Sequence, residues 1–329
     1  MSLTIDERAR KLSDSLDGVE RNLRKIITDA AMTKNSTNLY WANATKLTRA
    51  EFEKMRKITY VWSFANIPDV YNENLRNQVQ RIKALKLIPP KNPTYFDIKR
   101  SVINTRSIST LLNDFNNTWA LQIDQSQKFM LRTFNMTQNI LIEESRINAL
   151  IDEGIFRTGS TYGVQKNLQK EFMGKLLNGQ YITVINKNGK AIHYNIDSYS
   201  EMVANTKLRE AQTISTVNTA VDFGTDLVQV SSHNTLTPYD AQFEGKIFSL
   251  SGNDPDFPKA TVLPPFHPNC KHTISIVFRE MLEQRGIQKY IDYSNGTSQV
   301  HPTRTKQKPL SDRFPKGVVA DIEANKISV

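Results

Sequence analysis

The chain has 329 residues with 39% hydrophobic and 23% charged side chains, values that are ordinary for a globular protein long enough to form two domains. A single cysteine excludes an intrachain disulfide. No apolar run approaches the roughly 20 residues that cross a bilayer, and the N-terminal stretch lacks an apolar signal core, so we expect neither export nor a membrane partner. The net charge of +10 and the pI near 9.5 favour a polyanionic partner, with nucleic acid as the leading candidate.

The first half of the chain, to about residue 155, has the periodicity of helices. Apolar residues recur at spacings of three and four over Ile5–Ala30 and predict one helix, whose apolar stripe packs either against the chain's own helices or against a partner helix in a short coiled coil. The capping-box pattern Thr48–Glu51 predicts the start of a second helix, and Pro68 is expected to end either that helix or the loop after it. Tyr71–Leu87 predicts another helix, and residues 101–155 predict one long helix or two stacked ones.

Two groups of basic residues are candidates for binding double-stranded DNA. Between Arg76 and Arg106 the chain has eight basic residues and one acid, Asp97, and the polar C-terminal tail is also basic. Because no helix-turn-helix, zinc-finger or RNA-recognition pattern is present, we expect contacts to phosphate that are independent of base sequence. The alternative is a solvated surface without a partner. The predicted DNA-binding residues are Arg76, Arg81, Lys83, Lys86, Lys91, Lys99, Arg100, Arg106, Arg304, Lys306 and Lys308.

The second half changes character and predicts mixed structure. A short helix over Val164–Leu177 precedes two strands that flank Asn188-Gly189, the strongest local signal for a hairpin turn. A helix ending at Gly224 follows, and further strands are predicted at residues 226–231, 245–250 and 272–278. We therefore predict an α+β fold with a helical docking domain at 1–155, a mixed domain with a small, mostly antiparallel sheet at 156–290, and an extended basic tail at 291–329.

A short run before the last strand collects side chains capable of chemistry. His267, Cys270 and His272 lie within six residues, and imidazole and thiolate are ligands that Zn²⁺ prefers, so one interpretation is a metal knuckle. The other is a rigid turn, since three prolines lie in the same loop and the histidines would then bond to loop carbonyls. A zinc site needs a third and a fourth ligand, and no Cys-x-x-Cys pair is present. We therefore favour the turn and predict no cofactor, with zinc as the alternative.

Four ordered stretches of the second half carry a family resemblance. They are Tyr199–Thr206 (YSEMVANT), Val230–His233 (VSSH), Phe243–Gly252 (FEGKIFSLSG) and Phe266–Thr273 (FHPNCKHT). Together they resemble the C-terminal domain of tailed-phage minor capsid proteins, the group also described as Mu F-type head morphogenesis proteins. The resemblance covers roughly residues 182–278. The helical half and the tail carry no matching motif.

The resemblance implies a structural protein of the phage head. The sequence has no Gly-rich phosphate loop, no Gly-x-Ser-x-Gly pattern and no His-Glu-x-x-His pattern, so we predict that it is not an enzyme. Such a protein would be bound inside the shell near the portal vertex after assembly in the host cytoplasm, and would assist head assembly or DNA delivery. Its implied partners are the portal protein, capsid or scaffold proteins, and packaged double-stranded DNA.

The chain departs from the family at two places that bear on its chemistry. Family members often have Arg-Thr where this chain has Asn205-Thr206, and His-Ala-x-Trp-Gln-Gly where it has Asp240–Gly245 (DAQFEG). Aspartate can ligate zinc but cannot act as a neutral imidazole base, so the departure weakens a catalytic interpretation. We therefore predict no catalytic residue.

If the family's histidines form one polar or metal cluster, five residues of this chain should converge in the folded domain. The alternative function is a metal-dependent nuclease or another hydrolase, such as one with a Cys-His nucleophile pair, that uses the same cluster. The five residues are His233, Asp240, His267, Cys270 and His272.

Overall fold

The computed structural model describes residues 3–85, 89–152, 160–298 and 302. Its N-terminal half is helical, and its C-terminal half adds small antiparallel sheets, so the predicted α+β class is confirmed. The chain forms two compact units: the first comprises residues up to Phe64 together with Asn113–Ala204, and the second comprises Ala65–Leu112 together with residues from Asn205 onward. Each unit is thus built from two separate segments of the chain.

Helix α1 (Ile5–Met32) begins with a capping box. The Glu7 amide donates to the Thr4 hydroxyl at 3.2 Å, and the Thr4 amide donates to the Glu7 carboxylate at 2.7 Å. Most of the apolar stripe of α1 is buried in the first unit, with Leu12 and Leu16 each 0% exposed, while Ile5 and Ile26 are half-buried. Of the two alternatives for this stripe, packing against the chain's own elements is therefore the one observed.

Helix α2 (Asn38–Ala84) is one continuous helix of 47 residues. The predicted start at Thr48 is wrong, because Thr48 lies fully buried inside the helix and the carboxylate of Glu51 pairs with Lys54 at 2.6 Å. The predicted end at Pro68 is also wrong, and Asn72 Nδ2 donates to the Pro68 carbonyl at 2.7 Å. Buried apolar side chains on both sides of the proline, among them Phe52, Met55, Tyr71 and Leu75, outweigh the roughly 3 kcal/mol that a proline costs inside a helix.

The remaining helices of the first half are α3 (Tyr95–Arg100) and α4 (Val102–Asp152), and α4 is one long helix rather than two stacked ones. Within the first unit, α1 packs against α5 (Ser160–Leu177). Buried aromatic rings continue the core from α2 to α4, with ring centroids 5.3 Å apart for Trp62 and Phe115 and 6.3 Å apart for Phe115 and Trp119. Trp119 also meets the ring of Tyr199 edge to face at 5.3 Å.

A hairpin completes the first unit. Strands β1 (Ile182–Ile185) and β2 (Ala191–Tyr194) pair antiparallel, and the turn between them includes Gly189 at a φ of 75°. The predicted hairpin at Asn188-Gly189 is therefore confirmed. Helix α6 (Ile196–Phe223) follows and ends at Gly224, whose φ of 75° is the left-handed conformation that suits a helix C-terminus.

The second unit is organised around a three-stranded antiparallel sheet. Strand β3 (Leu227–Val230) lies between β4 (Ile247–Ser249) and β5 (Ile274–Val277). One face of the sheet packs against α8 (Arg279–Gln284) and α9 (Gln288–Ser294), which extends past the predicted start of the tail at residue 291. The other face carries Val228, Val230, Phe248 and Ile274 and packs against Phe243 and Phe266.

The predicted domain boundaries at 155 and 290 stay predictions, since residues 153–159 and most of the tail lie outside the described residues. Helices α2, α4 and α6 each contribute one part of their length to each unit. Among the described helices, none is both long enough and apolar enough to span a membrane.

Candidate functional site

The candidate site lies at one end of the three-stranded sheet. Because β3 runs antiparallel to both neighbours, its C-terminal end meets the N-terminal ends of β4 and β5. Two connecting segments therefore come together there: residues 231–246, which contain the short helix α7 (Pro238–Ala241), and residues 263–272, which lead into β5. The Thr273 amide donates to Ser231 Oγ at 2.9 Å and ties the second segment to the first.

Four of the five predicted cluster residues contact one another at this end of the sheet. His267 Nε2 lies 2.8 Å from Asp240 Oδ2, and His272 Nδ1 lies 3.5 Å from the same oxygen. The Cys270 Sγ atom is 3.6 Å from His272 Nδ1. One ligand atom from each of Asp240, Cys270 and His272 lies within 4.8 Å of the others, and these three residues are 2%, 1% and 4% exposed. We call these three residues, together with His267, the carboxylate–histidine–thiol cluster.

The fifth predicted residue, His233, lies at the border of the cluster. Its ring meets the ring of His272 edge to face at 5.0 Å, and its Nε2 atom is 2.8 Å from Ser231 Oγ. It is not among the residues whose ligand atoms group together. The structure therefore brings His233 next to the cluster without placing it inside.

Glu244 is a central residue that we did not predict from the sequence. Its Oε1 atom accepts hydrogen bonds from the backbone amides of His233 at 2.7 Å and Thr235 at 3.1 Å, and lies 3.2 Å from His272 Nε2. The residue is 1% exposed. Two features of the sequence could have indicated Glu244. It lies four residues after Asp240, and it is a glutamate at the position where the resembled family has glutamine.

The cluster shifts the pKa values of its own members. Burial alone would lower the pKa of His272, but its hydrogen bonds with Cys270 and Glu244 and the charges of Cys270 and Asp240 outweigh burial and raise it to about 9. Burial would raise the pKa of Cys270, yet the contact with His272 and backbone amide donors lower it. The pKa of His267 is raised, against the effect of burial, by a backbone carbonyl and by Asp240. The arrangement stabilises a thiolate beside protonated imidazoles.

Aromatic side chains border the cluster. Phe243 and Phe266 stack with their centroids 4.6 Å apart, and Phe266 lies 5.6 Å from the ring of His272. Tyr239 meets both phenylalanines edge to face. Cys270 is 1% exposed among the described residues, and buried cysteines are more often structural than reactive, so this arrangement is suited to holding loops or an ion in place.

The segment that contains this cluster is similar in sequence to a known protein family. Residues 159–295 match the family model described as phage minor capsid protein 2. Because these residues are similar to that family, we call residues 159–295 the minor capsid region. The resemblance predicted from four short stretches is confirmed, and the match is wider than the 182–278 range on which the prediction rested. It spans less than half of the 329 residues. Neither a curated protein nor a solved structure matches the chain.

The minor capsid region includes α5 to α9 and all five strands, whereas most of the predicted DNA-binding residues precede it. The described members of this set are exposed and belong to the second unit, and none forms an ion pair with a carboxylate in the described part of the chain. Those members are Arg76, Arg81, Lys83, Lys91, Lys99, Arg100 and Arg106. Lys86, Arg304, Lys306 and Lys308 lie outside the described residues.

The structure brings only some of these basic side chains together. The guanidinium of Arg76 and the ammonium of Lys99 lie 5.5 Å and 6.0 Å from the centroid of the Tyr95 ring, which places two cations around one aromatic side chain. Arg81 makes a different contact: its guanidinium donates a hydrogen bond to Ser275 Oγ on β5 at 3.2 Å. Binding of DNA by these residues stays a prediction.

Proposed function

We propose that the chain is a structural minor protein of a tailed-phage head, located inside the shell near the portal vertex, where it binds the portal and packaged DNA. The observation that carries this proposal is the match of residues 159–295 to phage minor capsid protein 2, a family whose description names a head component. The head interior, the portal and the DNA are our extension of that match. In this role the chain assists head assembly or DNA delivery and catalyses no reaction.

The docking surface for the portal must be sought outside the α1 stripe, which is buried in the first unit. Helix α2 offers a candidate in the same unit: Tyr60, Val61 and Phe64 are 53%, 67% and 48% exposed, and the rings of Tyr60 and Phe64 lie 4.6 Å apart. Adjacent exposed apolar side chains of this kind are typical of protein interfaces, whose binding energy concentrates in aromatic residues. We assign the contact with the portal to this patch.

Co-purification of the portal with the full-length chain tests the docking proposal. The full chain is needed because a fragment ending near residue 157 would divide both compact units. We expect Val61→Asp combined with Tyr60→Ser to abolish capture of the portal. The control is Leu39→Asp, which places a charge on α2 at a side chain that is 83% exposed but outside the patch. Equal capture by all variants would contradict the assignment.

The proposal of DNA binding rests on the exposed basic residues of the second unit. Each cation that neutralises a phosphate releases counterions, so the logarithm of the binding constant should fall with the logarithm of salt concentration by roughly 0.9 per contact. Since Tyr95 is already in contact with Arg76 and Lys99, little base stacking is expected, and duplex should compete well with single strands.

Titration of random-sequence duplex at several salt concentrations tests this proposal. Lys83→Glu combined with Lys99→Glu should reduce the salt slope by about 2. Arg21→Glu combined with Lys25→Glu makes the same charge change on exposed positions of α1, outside the basic run, and should leave the slope unchanged. A flat salt dependence of the unmodified chain, or equal effects of the two pairs, would remove DNA from the partners.

The hydrolase alternative makes a distinct prediction about the same protein. A nuclease that used the cluster would cleave duplex DNA in the presence of divalent metal and would lose that activity on His267→Ala. We expect no cleavage, because the thiol and the inner carboxylate are buried. Metal-dependent cleavage that His267→Ala abolishes would overturn the structural role.

A further inference from the structure

We propose that Asp240, Cys270 and His272 are ligands of a structural zinc ion and that His267 supplies the fourth ligand. The inference is independent of the role in the phage head, since it concerns how the end of the sheet is held together. It also reverses the preference for a metal-free turn that the sequence alone favoured. Four separate observations support it.

The first observation is the spacing of the ligand atoms. Zinc lies about 2.3 Å from a thiolate and about 2.0 to 2.1 Å from an imidazole nitrogen, so tetrahedral geometry separates a sulfur from a nitrogen by about 3.6 Å and a nitrogen from an oxygen by about 3.4 Å. The distance from Cys270 Sγ to His272 Nδ1 is 3.6 Å, and that from His272 Nδ1 to Asp240 Oδ2 is 3.5 Å. These two separations match those of one shared ion. His267 Nε2 is 2.8 Å from Asp240 Oδ2, so it would move outward by about 0.6 Å to become the fourth ligand.

The second observation is an unsatisfied oxygen. Asp240 is 2% exposed, and its Oδ1 atom accepts no hydrogen bond from any described residue. A buried carboxylate oxygen without a partner costs free energy, because the group has lost its water. A cation bound at this carboxylate would offset that cost and would neutralise the carboxylate together with the thiolate.

The third observation is the orientation of the two histidine rings. The Nε2 atom of His272 faces the carboxylate of Glu244 at 3.2 Å, and a carboxylate accepts, so Nε2 carries a proton. Nδ1 is then the nitrogen that gives up its proton and offers its lone pair when the ion binds. The Nδ1 atom of His267 faces the carbonyl oxygen of Pro268 at 2.8 Å, which leaves Nε2 as its ligand atom. That atom lies on the side of Asp240.

The fourth observation is the support that Glu244 gives. Metal-bound histidines commonly donate their second nitrogen to a carboxylate, which fixes the ring and raises the basicity of the ligand. Glu244 is in that position for His272 and is itself held by the backbone amides of His233 and Thr235. It is therefore a positioning residue and not a ligand.

The ligand types select zinc. A thiolate and imidazoles are soft or borderline ligands that disfavour Mg²⁺ and Ca²⁺, and four protein ligands leave no open position for a substrate. The ion would join α7 to the segment that leads into β5, and so would fix both connecting segments at the end of the sheet. A closed site of this kind stabilises the fold and does no chemistry.

Cobalt is the probe for the test, because its spectrum reports both thiolate ligation and geometry. The full-length chain is treated with a chelator and titrated with Co²⁺. We expect one equivalent to bind, with a thiolate-to-cobalt charge-transfer band in the near ultraviolet, intense tetrahedral bands in the visible range, and displacement of both by Zn²⁺. Cys270→Ser should remove the charge-transfer band, since this is the only cysteine.

Two further variants separate ligands from neighbours. Glu244→Gln should weaken cobalt binding about 10- to 100-fold with little change in the spectrum, as expected of a residue that acts through a ligand. His233→Gln should leave stoichiometry and spectrum unchanged, because this histidine borders the cluster without belonging to it. Circular dichroism of each variant monitors folding.

The titration of the unmodified chain decides the matter even if a variant fails to fold. No stoichiometric binding, a weak octahedral spectrum, or a charge-transfer band that persists in Cys270→Ser would overturn the zinc site.

Discussion

Replacing Leu16 by alanine tests whether the apolar stripe of α1 is core or docking surface. Leu16 is 0% exposed in the first unit, so Leu16→Ala removes a fully buried side chain. The lost transfer free energy and the cavity together cost roughly 2 to 5 kcal/mol in such sites. With a urea m-value of about 1 to 3 kcal/mol per molar, a loss of about 3 kcal/mol lowers the unfolding midpoint by roughly 1 M or more.

Tryptophan fluorescence is the appropriate assay for Leu16→Ala. All three tryptophans, at positions 41, 62 and 119, are buried and belong to the first unit, so the signal follows that unit alone. Leu39→Ala is the matched control, with the same change at a side chain that is 83% exposed and an expected effect within about 0.5 kcal/mol. If Leu16→Ala shifts the midpoint no more than Leu39→Ala does, the stripe is not core and the reasoning fails.

Three further predictions concern other parts of the fold. Gly224→Ala should destabilise the second unit by about 1 to 2 kcal/mol, measured by hydrogen exchange, because φ is 75° and the new Cβ would lie 3.1 Å from the proline at position 90. Gly18→Ala should instead stabilise the first unit by about 0.5 to 1 kcal/mol, because no atom lies within 4 Å of the new Cβ. Burial opposes ionisation of Asp254, but the Arg279 guanidinium and backbone amides lower its pKa below the ordinary 3.8. The ionised carboxylate therefore contributes its full stabilisation of the folded unit above about pH 4, and this contribution is lost as pH falls through the lowered pKa. Asp254→Asn should flatten that acid dependence in hydrogen exchange of the second unit, and an unchanged profile would contradict it. Tyr71→Phe should cost about 1 to 3 kcal/mol in the same experiment, because its buried hydroxyl bonds to two asparagine side chains.

Features set by local sequence were predictable. The hairpin at Asn188-Gly189 and the end of α6 at Gly224 follow from backbone conformations that glycine adopts more readily than other residues, and both are as expected. The three strands of the second unit follow from short alternating runs with buried positions on both faces. These features depend on residues that are close together in the chain, so a single sequence is enough to predict them.

Features set by tertiary packing were not predictable in the same way. Thr48 and Pro68 carry the local signatures of a helix start and a helix end, yet α2 continues through both because apolar residues on either side are buried. The role of Glu244 depends on the order of strands in the sheet, which no local pattern specifies. The convergence of Asp240 with His267 and His272 followed from a family resemblance and not from spacing.

The division of each compact unit into two chain segments has a consequence for synthesis. The first unit needs residues up to Phe64 and also Asn113–Ala204, so it is complete only when about 170 residues beyond the end of α1 have been translated. At roughly 5 to 20 residues per second, this delay is on the order of 10 s. During that time the leucines of α1 have no core to enter, and they are exposed to chaperones and to other nascent chains. A ribosome that stalled before Ala204 would therefore present an unfinished first unit with its apolar stripe uncovered.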